Sequence, residues 1–199
     1  NTNGSSRAIL EGENIGGLLT LYAADGGVGA VLYGNEGQGS GALSLRNTNG
    51  SARVRLYGQS PDTGGGEISV NGDAGTEVIE LKGNVNGGQV VMRDETGTRS
   101  TVFLGSSTTG GYQALYNGNG SATVYLDGDN GTGGYIGVRN TNGSTRAVID
   151  GYSTAGGGEI SVYDSSGTET VEILGAESSA SGGQILMRNA NGGATIQLD

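Results

Sequence analysis

The feature that most constrains this chain is a repeat of about 24 residues, each copy of which opens on a pair of small residues, usually two glycines. The copy at residues 157–175 reads GGEISVYDSSGTETVEILG. Ile160 and Val162 alternate with polar residues, and DSSG follows as a tight turn. After the turn, Val171 and Ile173 again alternate with polar residues. Alternation with a period of two is typical of a β-strand with one apolar face, so the unit is strand, turn, strand, turn.

The same unit recurs along the whole chain. Its openings lie 22 to 25 residues apart, at Gly16-Gly17, Ser40-Gly41, Gly65-Gly66, Gly87-Gly88, Gly110-Gly111, Gly133-Gly134, Gly157-Gly158 and Gly182-Gly183. The side chains expected to face inward in the first strands are Leu19/Leu21, Leu43/Leu45, Ile68/Val70, Val90/Met92, Gln113/Leu115, Ile136/Val138, Ile160/Val162 and Ile185/Met187. In the second strands they are Ala8/Leu10, Ala30/Leu32, Val54/Leu56, Ile79/Leu81, Thr101/Phe103, Val124/Leu126, Ala147/Ile149, Val171/Ile173 and Ile196/Leu198. A fixed period with so regular a pattern indicates a solenoid or fibrous array.

A second, longer period lies over the first. NTNGSAR at 47–53 returns as NTNGSTR at 140–146, and GGEISV at 65–70 returns at 157–162. GGQVVMR at 87–93 returns as GGQILMR at 182–188. The separations are 93, 92 and 95 residues, which indicates that a block of four coils was duplicated. We predict one continuous array over residues 1–199, about eight coils without an internal domain boundary, cut from a longer fibre.

The amino-acid composition excludes several classes of function. The chain has 43 glycines and 33% hydrophobic residues, so one coil cannot bury enough apolar surface to fold alone and must stack on other coils or other chains. It has no cysteine and no histidine, which excludes disulfides, thiol nucleophiles and imidazole bases. A net charge of −10 argues against nucleic acid, and no apolar run reaches the length of a membrane helix. We expect no cofactor and no resident metal.

One residue position gives a candidate surface strip. The position that closes each first strand is occupied by Arg in alternate coils and by Tyr in most of the others, with Asn71 as the exception. We call these residues the Tyr/Arg strip: Tyr22, Arg46, Arg93, Tyr116, Arg139, Tyr163 and Arg188. If coils stack, Arg and Tyr would alternate along one edge and form cation–π contacts. This predicts either a structural ladder or a strip that binds glycans.

Two weaker motifs have a simpler explanation as turns. Asp127-Gly-Asp129-Asn130 resembles the start of a calcium loop but lacks the downstream glutamate. Asn-Gly-Ser sequences at Asn3, Asn49, Asn119 and Asn142 are formal glycosylation acceptors. Asn and Asp beside Gly are also favoured by any tight turn. The acidic residues fall on outward strand positions or in turns, so no catalytic cluster is predicted.

The repeats GGEISVYDSSGTETVEILG, GGYIGVRNTNGSTRAVIDG and GGQILMRNANGGATIQLD resemble a known family. They are similar to the Gly-rich shaft repeats of bacteriophage tail fibres and of tail-fibre-like bacterial surface proteins, and more loosely to the stalks of phage hyaluronate lyases. The resemblance implies a homotrimeric, triple-stranded β-helix shaft, with receptor-binding or enzymatic tips outside this segment. No catalytic residue of the lyases has a matching motif here.

We therefore predict an all-β, repetitive β-helix fibre of two-strand coils, most simply a homotrimer, with a single-chain β-solenoid as the alternative. The predicted role is a structural shaft or filament that acts as a rigid extracellular or virion spacer. A carbohydrate-binding, adhesive surface is the second interpretation, and a polysaccharide-degrading shaft is the third. The expected partners are further copies of the same chain and cell-surface glycans, without nucleic acid or membrane insertion, and no enzyme activity is predicted.

Overall fold

A computed structural model describes residues 7–13, 16–35, 40–59, 64–84, 87–106, 110–129, 133–152, 157–176 and 182–198. The chain divides into two compact units, Asn1–Arg99 and Ser100–Asp199. Asn3-Gly-Ser5 and Asn130, which belong to two of the weaker motifs, lie outside the described residues. Within the described residues no helix has the length and apolar character needed to cross a membrane.

The described residues of both units form β-strands and turns. The first unit contains β1 (Ala8–Glu13), β2 (Gly16–Tyr22), β3 (Val28–Tyr33), β4 (Ala42–Arg46), β5 (Ala52–Tyr57), β6 (Glu67–Asn71), β7 (Glu77–Asn84) and β8 (Gly87–Arg93). The second contains β9 (Arg99–Ser106), which begins on the boundary residue, β10 (Gly110–Tyr116), β11 (Ala122–Asp127), β12 (Tyr135–Arg139), β13 (Thr145–Asp150), β14 (Glu159–Tyr163), β15 (Glu169–Leu174), β16 (Gln184–Arg188) and β17 (Ala194–Leu198). The prediction of an all-β repetitive fold is confirmed. A single array without a boundary stays a prediction.

Within each unit the strands form an antiparallel meander. Every strand of the first unit pairs with the next one in sequence, from β1 to β8. The second unit repeats this order from β9 to β17. A single-chain solenoid would instead stack each strand on its equivalent in the next coil. The pairings of the described strands contain no such stacking within either unit.

The tight turns follow one plan, which Asp164 illustrates between β14 and β15. One carboxylate oxygen of Asp164 accepts hydrogen bonds from the backbone N–H groups of Ser166 and Thr168, at 2.8 and 2.9 Å. Gly167 then takes a φ of +90°, which a residue without Cβ adopts at little cost. This is a turn followed by a glycine bulge, a common geometry for short hairpins. The turn predicted at 164–167 is confirmed.

The glycines that open each repeat allow two neighbouring strands to approach each other closely. The N–H of Gly175 donates to the carbonyl of Gly158 at 2.7 Å, beyond the last paired residues of β14 and β15. A Cβ on Gly175 would lie 3.2 Å from the Gly158 nitrogen and 3.3 Å from its oxygen. Equivalent bonds join Gly151 to Gly134 and Gly34 to Gly17. The repeated glycines therefore extend each hairpin where a side chain would crowd the partner backbone.

The predicted inward side chains all project from one surface of the strands in each unit, which we call the apolar face. Of its 34 positions only Gln113 and Thr101 are polar. This face is not buried in the single chain, since 21 of its large side chains are between 36% and 81% exposed. Ile160, for example, is 41% exposed. Within one chain the prediction of a buried inward face is therefore wrong, because the described residues of each unit form no second layer on it.

The buried residues lie on the opposite surface, which we call the polar face. All of them except Ala42 belong to its central row, at the middle positions of the strands: Thr20, Val31, Ser44, Ser69, Glu80 and Val91 in the first unit, and Val102, Ala114, Tyr125, Gly137, Val148, Ser161 and Leu186 in the second. Small residues are frequent in this row, and the rows on either side carry longer Tyr, Glu and Arg side chains. Those longer side chains shield the row from solvent. Alternation alone gave no indication of this burial.

Candidate functional site

The Tyr/Arg strip occupies one row of the polar face in each unit. Six of its seven members stand where the strand register shifts at a β-bulge: Tyr22, Arg46, Tyr116, Arg139, Tyr163 and Arg188. For the seventh, Arg93, the structure gives the ion pairs described below. Most consecutive members within a unit lie on every second strand, roughly 10 Å apart at the usual strand spacing, and Arg46 and Arg93 lie four strands apart because Asn71 stands between them. That separation is too large for the ring-to-guanidinium stacking expected between neighbouring members.

The strip arginines contact residues that the sequence had not linked to them. Arg46 donates from Nη1 to the carbonyl oxygen of Gly50 at 3.3 Å. Among the described residues, the one arginine stacked on a tyrosine is Arg139, whose guanidinium carbon lies 4.3 Å from the ring centroid of Tyr125. Tyr125 belongs to the central row rather than to the strip. Glycan binding by the strip stays a prediction.

Arg93 belongs to a charged cluster in the first unit. Its two terminal nitrogens lie 2.8 Å from Oε1 of Glu77 and 3.1 Å from Oε2 of Glu80. Glu80 is 4% exposed and also pairs with Lys82. Burial opposes ionisation of Glu80, but hydrogen bonds from Lys82 and Arg93 outweigh it and lower its pKa. Burial, followed by the charge of Glu80, raises the pKa of Glu77.

The duplicated block carries the corresponding cluster in the second unit. Arg188 bonds to Glu169 and, at 2.5 Å, to Oε2 of Glu172. Leu174 stands where the first unit has Lys82, as the pairings of these residues with Glu159 and Glu67 show. One cation therefore faces two carboxylates. Burial, followed by the charge of Glu169, raises the pKa of Glu172.

Each cluster brings three carboxylates within the reach of a single cation. In Glu67, Glu77 and Glu80, one oxygen from each lies within 4.8 Å of the others, and the same holds for Glu159, Glu169 and Glu172. In both clusters, however, arginine already supplies positive charge to two of the three groups. We therefore interpret the clusters as ion pairs that tie neighbouring strands together. They account for Arg93 and Arg188, two of the four arginines that close first strands.

The second unit also contains a group of tyrosines that sequence reasoning did not identify. Tyr112, Tyr125 and Tyr135 come from β10, β11 and β12. The ring centroid of Tyr125 lies 6.4 Å from that of Tyr112 and 6.2 Å from that of Tyr135, with tilted rings. Together with Ala122, Asp127 and Arg139 they line a cavity of about 460 Å³, which we call the tyrosine cavity. Burial is the largest cause of the raised pKa values of Tyr112 and Tyr135.

The apolar face is the largest uncovered feature of both units. In the second unit 13 large apolar side chains of this face are exposed, most of them by about two fifths. If each residue carries on the order of 170 Å² of surface, they expose on the order of 900 Å². The largest apolar patch of an ordinary monomer is about 300–600 Å², and a typical interface buries about 800 Å² per partner. The area is therefore sufficient for a stable protein interface.

Comparison of the chain with models of known protein families and with curated proteins gave no match. The features that bear on function are therefore these surfaces and the repeat itself.

Proposed function

We propose that this chain is a structural segment of a β-fibre, assembled by packing the apolar face of one chain against the same face of identical chains. The observation that carries the proposal is the apolar face, which is continuous from strand to strand within each unit and contains no charged position. Leaving such a face in water would cost roughly 25 cal/mol for every Å². Self-association removes this cost without requiring a partner of different sequence.

We further propose that three chains associate about a common axis as a homotrimeric, triple-stranded shaft. Three features support this arrangement: the Gly-rich repeat, which resembles tail-fibre shafts; the duplication of a four-coil block; and one apolar face per unit. In such a shaft the apolar faces meet at the axis, and the polar faces carry the net charge of −10 to the outside. The proposed setting is extracellular, as a cell-surface filament or a virion fibre.

We propose no catalytic role for this segment. Among the described residues, glutamates come together in the two clusters, and four of those six are ion-paired to arginine. A polysaccharide-degrading shaft would need a carboxyl group free to exchange protons with its substrate. The alternative to a trimer is a chain that stays monomeric, and the oligomeric mass decides between them.

The test is the oligomeric state of this chain, measured by light scattering and sedimentation. We expect a mass of three times 19.8 kDa, concentration-dependent only at high dilution. Ile160→Asp should shift the mass towards the single chain, because a carboxylate would be buried at the interface. The matched control is Ser165→Asp, which adds the same charge to an exposed turn position and should leave the mass unchanged.

A wild-type chain that stays at 19.8 kDa at all concentrations would contradict the proposal. A dimer or tetramer would preserve self-association through the apolar face but refute the three-chain arrangement. Equal effects of Ile160→Asp and Ser165→Asp would show that added charge, rather than the apolar face, controls assembly.

A further inference from the structure

We propose that the tyrosine cavity of the second unit binds a neutral saccharide, one pyranose ring of which packs against the tyrosine rings. The inference does not rest on the proposed fibre function, because the cavity lies on the polar face and within one unit. It depends on the geometry of Tyr112, Tyr125, Tyr135, Asp127 and Arg139, and on a comparison of the two duplicated blocks.

The strand register places two tyrosines on either side of an acid. Asp127 pairs with Tyr112 on one neighbouring strand and with Tyr135 on the other. The two tyrosines are therefore two strand spacings, roughly 10 Å, apart at the backbone. Tyr125 lies beside this row, with its ring close to both. The arrangement leaves a cleft lined by aromatic rings and by Asp127, whose Oδ1 also accepts a hydrogen bond from the backbone N–H of Asp129 at 3.1 Å.

The duplicated block shows that this arrangement is not a general property of the repeat. The strands equivalent to β10, β11 and β12 in the first unit are β2, β3 and β4. Their register places Leu18, Val31 and Ala42 where the second unit has Tyr112, Tyr125 and Tyr135, and it places Tyr33 where the second unit has Asp127. Arg46 stands at the position of Arg139 in both the sequence and the register. Three aromatic rings therefore distinguish the second unit, whereas the arginine is common to both.

Gly137 shows how the cavity is built. A Cβ on Gly137 would lie 2.6 Å from ring carbons of both Tyr125 and Tyr135, closer than real contacts allow. Gly137 has no positive φ, so backbone conformation does not explain the glycine. The first unit has Ser44 here, paired with Val31. Glycine at position 137 leaves room for the ring of Tyr125. The two differences from the first unit, Gly137 in place of Ser44 and Tyr125 in place of Val31, therefore belong to one packed arrangement.

The polar groups of the cavity match a ligand rich in hydroxyls. The hydroxyl group of Tyr125 is buried, and the described residues give it no hydrogen-bond partner. Buried tyrosine hydroxyls are usually bonded, so a ligand that reaches this group gains a hydrogen bond. Asp127 accepts hydrogen bonds and Arg139 donates them, and half-buried tyrosine faces suit the C–H face of a sugar ring.

The net negative charge of the chain favours neutral saccharides over acidic ones. Asp127 and Arg139 balance one another within the cavity, whereas the whole chain carries −10. That surplus repels sulfated and uronic-acid polymers at moderate ionic strength. A neutral oligosaccharide avoids the repulsion and still uses both polar groups. The proposed ligand class is therefore neutral hexose oligosaccharides.

The test is a binding titration of this chain with gluco-, manno- and galacto-oligosaccharides, with uronic-acid oligosaccharides as the charged comparison. The chain has no tryptophan, so its tyrosine fluorescence can report binding, and calorimetry gives the affinity. We expect at least one neutral oligosaccharide to bind and the uronic acids to bind at least tenfold more weakly. Tyr135→Ala should weaken the binding at least tenfold, and Tyr135→Phe should retain most of it.

Two variants separate the cavity from the rest of the chain. Gly137→Ser restores the residue of the first unit and should weaken binding by displacing Tyr125. Tyr33→Ala removes a tyrosine of the first unit, outside the tyrosine cavity, and should leave binding unchanged. The oligomeric mass should be the same for all these variants, so failure here is distinguishable from failure of the fibre proposal. The proposal is overturned if no neutral oligosaccharide binds, if the uronic acids bind better, or if Tyr33→Ala and Tyr135→Ala weaken binding equally.

Discussion

Glu80 and Glu172 occupy equivalent positions in the duplicated blocks, but their environments predict unequal losses of stability when the charge is removed. Glu80 has a side chain only 5% exposed and accepts bonds from both Lys82 and Arg93, whose side chains are each 20% exposed. Glu172 shares Arg188 with Glu169. Glutamine at either position keeps the shape of the glutamate side chain and removes its charge. The two variants therefore make the same chemical change in two different environments.

We expect Glu80→Gln to destabilise the fold by about 2 kcal/mol. A hydrogen bond to a charged group contributes about 1.5–3 kcal/mol when its partner is removed, and partial hydration of Lys82 and Arg93 recovers some of the loss. Glu172→Gln loses attraction to Arg188 but also loses repulsion from Glu169. We expect its effect to stay within about 0.5 kcal/mol.

Urea unfolding followed by circular dichroism, at one fixed chain concentration, measures the difference. With a slope of about 2 kcal/mol per M, the unfolding midpoint should fall by about 1 M for Glu80→Gln and barely move for Glu172→Gln. In a Lys82→Leu background, which copies Leu174 of the second unit, the effect of Glu80→Gln should approach that of Glu172→Gln. Equal midpoint shifts in the wild-type background would refute the reasoning.

The pH dependence follows from the direction of each pKa shift. The pKa of Glu80 is lowered by folding, so its contribution is present above its unfolded value of about 4.5 and is lost as pH falls through the folded pKa. The difference between wild type and Glu80→Gln should therefore shrink below pH 4. Glu172 has a raised pKa, so its protonation favours the fold, and wild type should gain stability relative to Glu172→Gln as pH falls through that pKa.

Three further predictions concern the turns and strand ends, with thermal denaturation as the measurement. Asp164→Ala should lower the melting temperature, because two backbone N–H groups lose their acceptor; unchanged stability would contradict this turn. Gly167→Ala should cost about 1 kcal/mol or more, because φ is +90°, whereas Gly118→Ala in open space at a non-positive φ should be nearly neutral. Gly175→Ala should be more destabilising than Gly83→Ala, because a Cβ meets the Gly158 backbone only in the first case; the reverse order would exclude close approach as the reason for the glycine.

The sequence by itself determined which residues are strands, which are turns and which side chains share a face. Alternation with a period of two fixes the side of the strand on which Ile160 and Val162 lie, whatever that strand pairs with. Asp164 and Gly167 likewise specify their turn locally, through one side chain and one left-handed φ. These features need no knowledge of distant residues, which is why they could be predicted.

The tertiary structure decided which strands pair and which face is covered. A hairpin meander and a coiled solenoid give the same alternation, so periodicity could not choose between them, and it could not show that Ile160 stays exposed in one chain. The ion pair of Glu80 with Arg93 and the contact of Arg139 with Tyr125 each join residues of two different strands, and neither strand sequence alone determines how the two strands are aligned. The tyrosine cavity likewise requires three strands side by side, so it became visible only when pairing brought their side chains together.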